Sequence, residues 1–431
     1  MATSAELKQN ILNGGYDQAF AKLYGADTAT VAAQRVRYVD MIDHFEENFG
    51  TGRTVCLYSA PGRTEIGGNH TDHNNGVVIA AAVNLDIIAV VAKNDENVVR
   101  VISHGFGKID DVNLRDLTPQ PVEAEHSASL IRGVAAGIVK DGGKVGGFDC
   151  YTTSDVLGGS GLSSSAAFEV CMGAIFRGEY NDNDMKRFDQ VKNAMISQYA
   201  ENVFFGKPCG LMDQMASSVG NIITIDFADP AQPNVEPVHV DFSKAGLALC
   251  ILDSGADHAD LTDEYAAIPA DCRAVAAVCG GEVLRDVPFE TFLANIPACR
   301  KQCGDRAVLR AFHFYADNDR VPQQVAALRE GNFDAFLQLV TASGDSSWEY
   351  LQNVIPAGYK EHQEVAVTIA AAKHFLQGKG AVRVHGGGFA GTVQAFVPLE
   401  LLSEFKKNME AILGEDHCHV LSIRPEGGAV L

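Results

Sequence analysis

The chain has 431 residues, 46% of them apolar, enough to bury large cores and long enough to favour two or three domains over one. Lys and Arg number 34 against 55 Asp and Glu, and the formal charge of −21 opposes both the phosphates of nucleic acid and the anionic face of a membrane. The longest apolar run, residues 77–83, is far too short to cross a bilayer, and MATSAELKQN carries no basic stretch leading into an apolar one.

A cytoplasmic protein is therefore expected, with its ten cysteines, none in a CxxC pair, as reduced structural thiols. The first predicted element is an amphipathic helix over 31–49, with Val36, Val39, Met41, Ile42 and Phe45 among charges and a stop near Gly50. Strands rich in β-branched residues are predicted at 54–59 and 77–91; they bracket the polar cluster PGRTEIGGNHTDHNNG at 61–76, which reads as a loop. A strand at 147–155 leads into the glycine loop 158–161 and a helix over 164–176. Residues 185–205 read as a long helix with an inward stripe of Phe188, Val191, Met195, Tyr199 and Val203, which puts Glu201 on the solvent side. Three prolines within 229–237 suggest a connection, so domains of 1–235 and 236–431 are expected. A buried strand at 247–255, three helical stretches to about 376 and a second glycine loop, GGGFAG at 386–391, complete the pattern.

Glycine loops let main-chain N–H groups approach an anion, and an acidic chain with few spare cations must rely on them to bind phosphate. The loop 158–165 is no Walker motif, since no Lys-Ser or Lys-Thr follows, and Ser164 stands where a dinucleotide fingerprint has its third glycine. By spacing it also fits a turn into a buried helix, although three serines at a helix start suit phosphate and Mg better than a core, with Ser165 a candidate metal ligand. The 386–391 loop equally fits a hairpin turn. Asp213 lies among small and apolar residues, where an ionised carboxylate needs a partner; Arg63 is the candidate, either as a structural ion pair or as a group facing phosphoryl charge. His70, Asp72 and His73 resemble part of a zinc ligand set, but Gly68 stands where a further histidine is needed, and polar ligands for a sugar suit the loop better. Two phosphate loops and a lone carboxylate together point to phosphoryl transfer to a hydroxyl.

Taken in order, PGR, HTD, GLSSSAA, CGLMDQ and HGGGFAG resemble the galactokinase family, within the superfamily of homoserine, mevalonate and phosphomevalonate kinases, and the similarity extends over nearly the whole chain. The resemblance implies an α+β, two-domain kinase with its site in the interdomain cleft, using ATP and Mg to phosphorylate a galactose-type sugar at its anomeric hydroxyl; a monomer is compatible with it. It implies Asp213 as catalytic carboxylate and Arg63 as transition-state arginine. Gly159, Ser160, Gly161, Leu162, Ser163, Ser164 and Ser165 match the phosphate loop, Ser165 and Glu201 the Mg ligands, and Asn69, His70, Thr71, Asp72 and Tyr265 the sugar-binding residues. This role for Glu201 contradicts the solvent-side reading from periodicity. Asn69 is a departure: the family usually has Glu there, so an amide stands where a carboxylate is expected to meet the sugar's terminal hydroxymethyl. That substitution, and AAIPADC after Tyr265 without the usual arginines, leaves kinases for N-acetylgalactosamine or arabinose, or a non-catalytic sugar sensor, as alternatives.

Overall fold

The structure, a computed structural model, describes residues 2–109, 111–156, 161–207, 209–256 and 261–431. They form the expected α+β arrangement around two sheets. The larger runs in the order Ala2–Thr3, Thr54–Gly67, Val77–Lys93, Phe148–Ser154, Val98–Ser103 and Gly107–Lys108; Ile222–Asp226 and Asn234–Pro237 continue it beside the first half of Val77–Lys93, and Ala429–Val430 adds to Thr54–Gly67. The smaller is antiparallel, in the order Ala381–Val384, Gly391–Pro398, Leu247–Ala256 and Cys418–Leu421.

Strand Val77–Lys93 is apolar on both faces because both are covered, which removes the polar alternation of a half-exposed strand. Ile88, Val90 and Ala92 face a layer of Phe20, Tyr38, Ile42 and Phe45 from helices Asp17–Tyr24 and Thr28–Phe49. Ile87, Ala89 and Val91 face Ile131, Val134 and Phe176 from helices Ser127–Lys140 and Ser164–Tyr180. Burying each Ile or Val contributes about 1.5–3 kcal/mol. The second core is continuous with Leu249, Phe336, Phe396 and Leu421, so the two sheets are welded through apolar contact.

Several elements differ from the sequence expectations. Helix Thr28–Phe49 starts earlier because Asp27 caps it, its Oδ1 accepting from Thr30 N at 2.9 Å. The strand expected to stop at 59 runs to Gly67, so Arg63 is on a strand and only 68–76 is loop. Five α-helices among the described residues, rather than three stretches, fill 262–376, and three of them accommodate Pro269, Pro297 and Pro322. The proline-rich segment at 229–237 includes strand Asn234–Pro237, which among the described residues pairs only with Ile222–Asp226, an edge position where proline costs no ladder bond.

Residues 185–205 form helix Gln190–Tyr199 followed by a π-helical turn, Ala200–Phe205. Its buried face is Asn193, Ala194, Ile196, Ser197, Ala200, Glu201 and Phe204, whereas Val203 is exposed. The expected apolar stripe is thus rotated and Glu201 points inward. All ten cysteines are free thiols. No helix among the described residues is long and apolar enough to cross a membrane.

Candidate active site

Arg63 and Asp213 meet at the junction of strand Thr54–Gly67, the end of the first glycine loop and the start of helix Met212–Val219. Arg63 Nε donates to Asp213 Oδ1 at 2.6 Å, its Nη1 donates to Gly161 O, and its main-chain N donates to Leu162 O at 3.0 Å. Since carbonyl and N–H groups oppose each other across a trans peptide, the N–H groups of Leu162 and Ser163 point away from Arg63. Ser163 holds a left-handed φ of 59° just before helix Ser164–Tyr180, and its hydroxyl donates to Asp213 Oδ2 at 2.5 Å.

Asp213 is in the first turn of its helix, where the dipole favours a negative charge. Burial alone would raise its pKa, but the Arg63 guanidinium, the Ser163 hydroxyl and more distantly Lys207 hold it below the usual carboxylate range. The carboxylate is therefore ionised at neutral pH, and with 34% of its side chain exposed it remains reachable by a substrate hydroxyl.

A second acidic group lies behind it. Gln214 Nε2 donates to Glu201 Oε2 at 2.7 Å and to Glu169 Oε2 at 3.1 Å, while Lys207 stands 3.6 Å from Glu201 Oε1. Burial first, and then the charge of Glu201, push the Glu169 pKa well up. Glu169 is one helical turn beyond Ser165 on the same helix, and its Oε1 is buried without a hydrogen-bond partner. Hard oxygen donors with an orphaned carboxyl oxygen suit Mg, which keeps water and substrate phosphates around one or two carboxylates. No group of three or more His, Cys, Asp or Glu able to hold a metal unaided occurs among the described residues.

The polar turn 68–76 is held by its own hydrogen bonds and by contacts with the second glycine loop. Thr71 is fully buried and its single hydroxyl proton is shared between Gly68 O and Val77 O at 2.9 and 2.8 Å, so it holds the turn together. Asn69 is also fully buried: Nδ2 donates to Glu65 Oε1 at 3.1 Å and Gly386 O at 2.7 Å, and Oδ1 accepts from Asn353 Nδ2 at 2.8 Å and Ser347 Oγ at 3.2 Å. His70 Nε2 donates to Gly387 O at 2.9 Å, and burial, with His73 nearby, pushes its pKa down to about 3, so the ring is neutral. Asp72 lies against Gly210, where an added Cβ would come within 2.0 Å of its Oδ2 and displace that carboxylate.

The second glycine loop joins strands Ala381–Val384 and Gly391–Pro398 as a hairpin and closes over this turn. Tyr265 donates to Gly388 O at 2.9 Å and its ring meets Phe389 edge-on at 5.5 Å. His385, at the start of that loop, reaches Thr64 Oγ1 at 3.0 Å beside Arg63.

The structure thus gathers Arg63, Asp213, Gly161, Leu162 and Ser163 in one place and Glu201 behind them. Ser164 is exposed and Ser165 half-buried on the first turn of their helix, and Gly159 and Ser160 lie outside the described residues. Sequence reasoning missed Glu65, Glu169, Gln214, Arg383 and His385. Spacing held a signal for two of them: Glu65 shares a strand face with Arg63 at i+2, and Glu169 shares a helix face with Ser165 at i+4.

The sequence matches two family models, the galactokinase galactose-binding signature over residues 43–93 and the GHMP kinases N terminal domain over 129–221. It is 31% identical over 366 residues to a galactokinase of Actinobacillus pleuropneumoniae, covering 84% of this chain and 90% of that one. A galactokinase of Glaesserella parasuis serovar 5 is 31% identical over 364 residues, with the same coverage of 84% and 90%. Among solved structures, Lactococcus lactis galactokinase complexed with galactose superposes with a TM-score of 0.78 at 23% identity, covering 92% of this chain and 100% of that one. Methanococcus jannaschii mevalonate kinase superposes with a TM-score of 0.60 at 14% identity, covering 86% and 98%. The architecture is that of the GHMP kinases.

Proposed function

The chain belongs to the galactokinase family, and from that premise we propose that it transfers the γ-phosphoryl group of ATP to the anomeric hydroxyl of galactose, giving galactose 1-phosphate and ADP. The observation that carries the reading is the three-part unit of Arg63, Asp213 and Ser163: an ionised carboxylate fixed on both oxygens, a guanidinium beside it and a glycine loop tied to that same guanidinium.

The sugar hydroxyl donates to Asp213, which orients one oxygen lone pair toward the phosphorus and receives the proton as the new P–O bond forms. A carboxylate with a depressed pKa is a weak base, and a loose phosphoryl-transfer transition state needs little more. Arg63 keeps that carboxylate in place and faces charge developing on the transferred group. The main-chain N–H groups at the start of helix Ser164–Tyr180 meet the nucleotide phosphates at the positive end of its dipole. Ser165 and Glu201 would hold Mg, with Glu169 behind them, and an ion bound there would neutralise phosphate charge. His70, Asp72 and Tyr265 face the sugar.

Galactokinase relatives along most of the chain disfavour the kinases for N-acetylgalactosamine or arabinose, and the intact Asp213 and Arg63 disfavour a non-catalytic sensor. Free thiols and ATP use suit the cytoplasm as its place of work, with no membrane or nucleic acid partner. The reading is tested by incubating the protein with ATP, Mg and a panel of sugars and following products by phosphorus NMR. A 1-phosphate formed fastest from galactose is expected; faster turnover of another sugar, or ATP binding without any sugar phosphate, overturns it.

A further inference from the structure

The amide at position 69 has no hydrogen-bonding capacity left for a ligand. Both Nδ2 protons go to Glu65 and Gly386 O, both Oδ1 lone pairs receive Asn353 and Ser347, and the side chain has no exposed surface. Yet a carboxylate stands in the same place, offered from four residues earlier. Pairing of Arg63, Thr64 and Glu65 with Ala82, Ala81 and Ala80 is unbroken, so Glu65 projects from the same face of the sheet as Arg63. It lies one pleat repeat further along, about 6–7 Å, a span comparable with the breadth of a pyranose ring.

Glu65 is 2% exposed, and its two oxygens are unequally used. Oε1 receives Arg383 Nη2 and Asn69 Nδ2, whereas Oε2 has only a long contact of 3.4 Å to that same Nδ2. Burial holds the Glu65 pKa above the usual carboxylate range, Asp72 adds to the rise, and the opposing charges of Arg383 and Arg63 counter it. A buried carboxylate oxygen whose one donor is 3.4 Å away, on the sheet face that carries Arg63, has capacity to accept a hydroxyl.

We infer that Glu65 recognises the sugar, Oε2 accepting a hydrogen bond from a hydroxyl at the end of the pyranose remote from the anomeric carbon, and that Asn69 is a positioning residue which holds Glu65 there. The inference rests on galactose being the acceptor. It makes the amide at 69 a relocation of the sugar-reading carboxylate rather than its loss.

The test compares wild type and Glu65→Gln with galactose, 4-deoxygalactose and 6-deoxygalactose, measuring kcat and KM for each and KM for ATP. Wild type should discriminate against one of the two deoxy sugars by roughly 10- to 150-fold, the worth of a hydrogen bond to a charged group. Glu65→Gln should lose a similar factor for galactose, mainly in KM, leave KM for ATP unchanged and bring that discrimination close to one. If activity falls equally on all three sugars, Glu65 is only the counter-ion of Arg383 and the inference fails; it also fails if wild type accepts both deoxy sugars as well as galactose. Should Glu65→Gln not fold, Glu65→Asp keeps the charge but withdraws the oxygen by one methylene, and retained discrimination in that variant overturns the inference. A wild type that forms no galactose 1-phosphate overturns the proposed function instead, a distinguishable result.

Discussion

Arg63 and Asp213, 150 residues apart in sequence, share a 2.6 Å hydrogen bond, and the same guanidinium also binds Gly161 O in the first glycine loop. One cation thereby sets the relative position of the carboxylate and the first glycine loop, so the two cannot drift independently.

Asp213→Asn should lower kcat by roughly 10²–10⁴-fold, the range for losing a positioned acid–base group, with galactose affinity largely kept. A coupled ATP assay with calorimetric galactose binding measures both quantities. A rate near that of wild type would remove Asp213 from the reaction.

The pH dependence follows from the depressed pKa of Asp213. A group whose folded pKa lies below its unfolded value of about 3.9 contributes stability that is present above that value and lost as pH falls through the folded pKa. Asp213 should accordingly contribute no acid limb to activity between pH 5 and 7. In Arg63→Gln the lowering charge is gone while burial remains, so an acid limb should move to higher pH, alongside a fall in kcat. A kcat/KM profile recorded for both proteins checks this, and an unmoved limb would mean that another group controls it.

Gly210→Ala needs no unfavourable backbone angle, yet its new Cβ would overlap Asp72 Oδ2 at 2.0 Å. The expected result is a rise in KM for galactose of about tenfold or more from a displaced sugar ligand, with thermal stability close to that of wild type. Urea melts and sugar kinetics on the variant separate the two effects.

How much of this was legible beforehand differs from residue to residue. The Arg63–Asp213 pair could be anticipated because a carboxylate among Leu211, Met212 and Met215 demands a cation, which is a local argument about solvation. Glu201 could not be read from periodicity, because the π-helical turn shifts the register and the buried face mixes Asn193, Ser197 and Glu201 with Ala194, Ile196, Ala200 and Phe204. Asn69 and Thr71 were legible as polar turn residues but not as saturated ones, since their partners come from Gly386, Ser347 and Asn353, far along the chain. Five helices rather than three lie between 262 and 376 because the short breaks at Gly304 and at 331–332 divide stretches whose helical character runs on.

Arg424 is fully buried and donates to Asp86 Oδ2 at 2.6 Å and Ser59 Oγ at 2.7 Å, while Arg37 donates to Asp86 Oδ1 at 2.7 Å. Arg424→Ala should destabilise the protein by about 3–5 kcal/mol, since it leaves Asp86 with half its compensation in a dry site. Equilibrium denaturation checks it, and Arg424→Ala combined with Asp86→Asn should cost less than the sum of the single changes.

The return of Ala429–Val430 to the strand that carries Arg63 has a consequence for biosynthesis. Tyr58 pairs with Val430, so on the ribosome the strand bearing the guanidinium waits for roughly 370 further residues before its edge is covered. At ordinary elongation rates of about 5–20 residues per second that is about 20–70 seconds, during which a nascent, uncapped edge invites pairing with other chains.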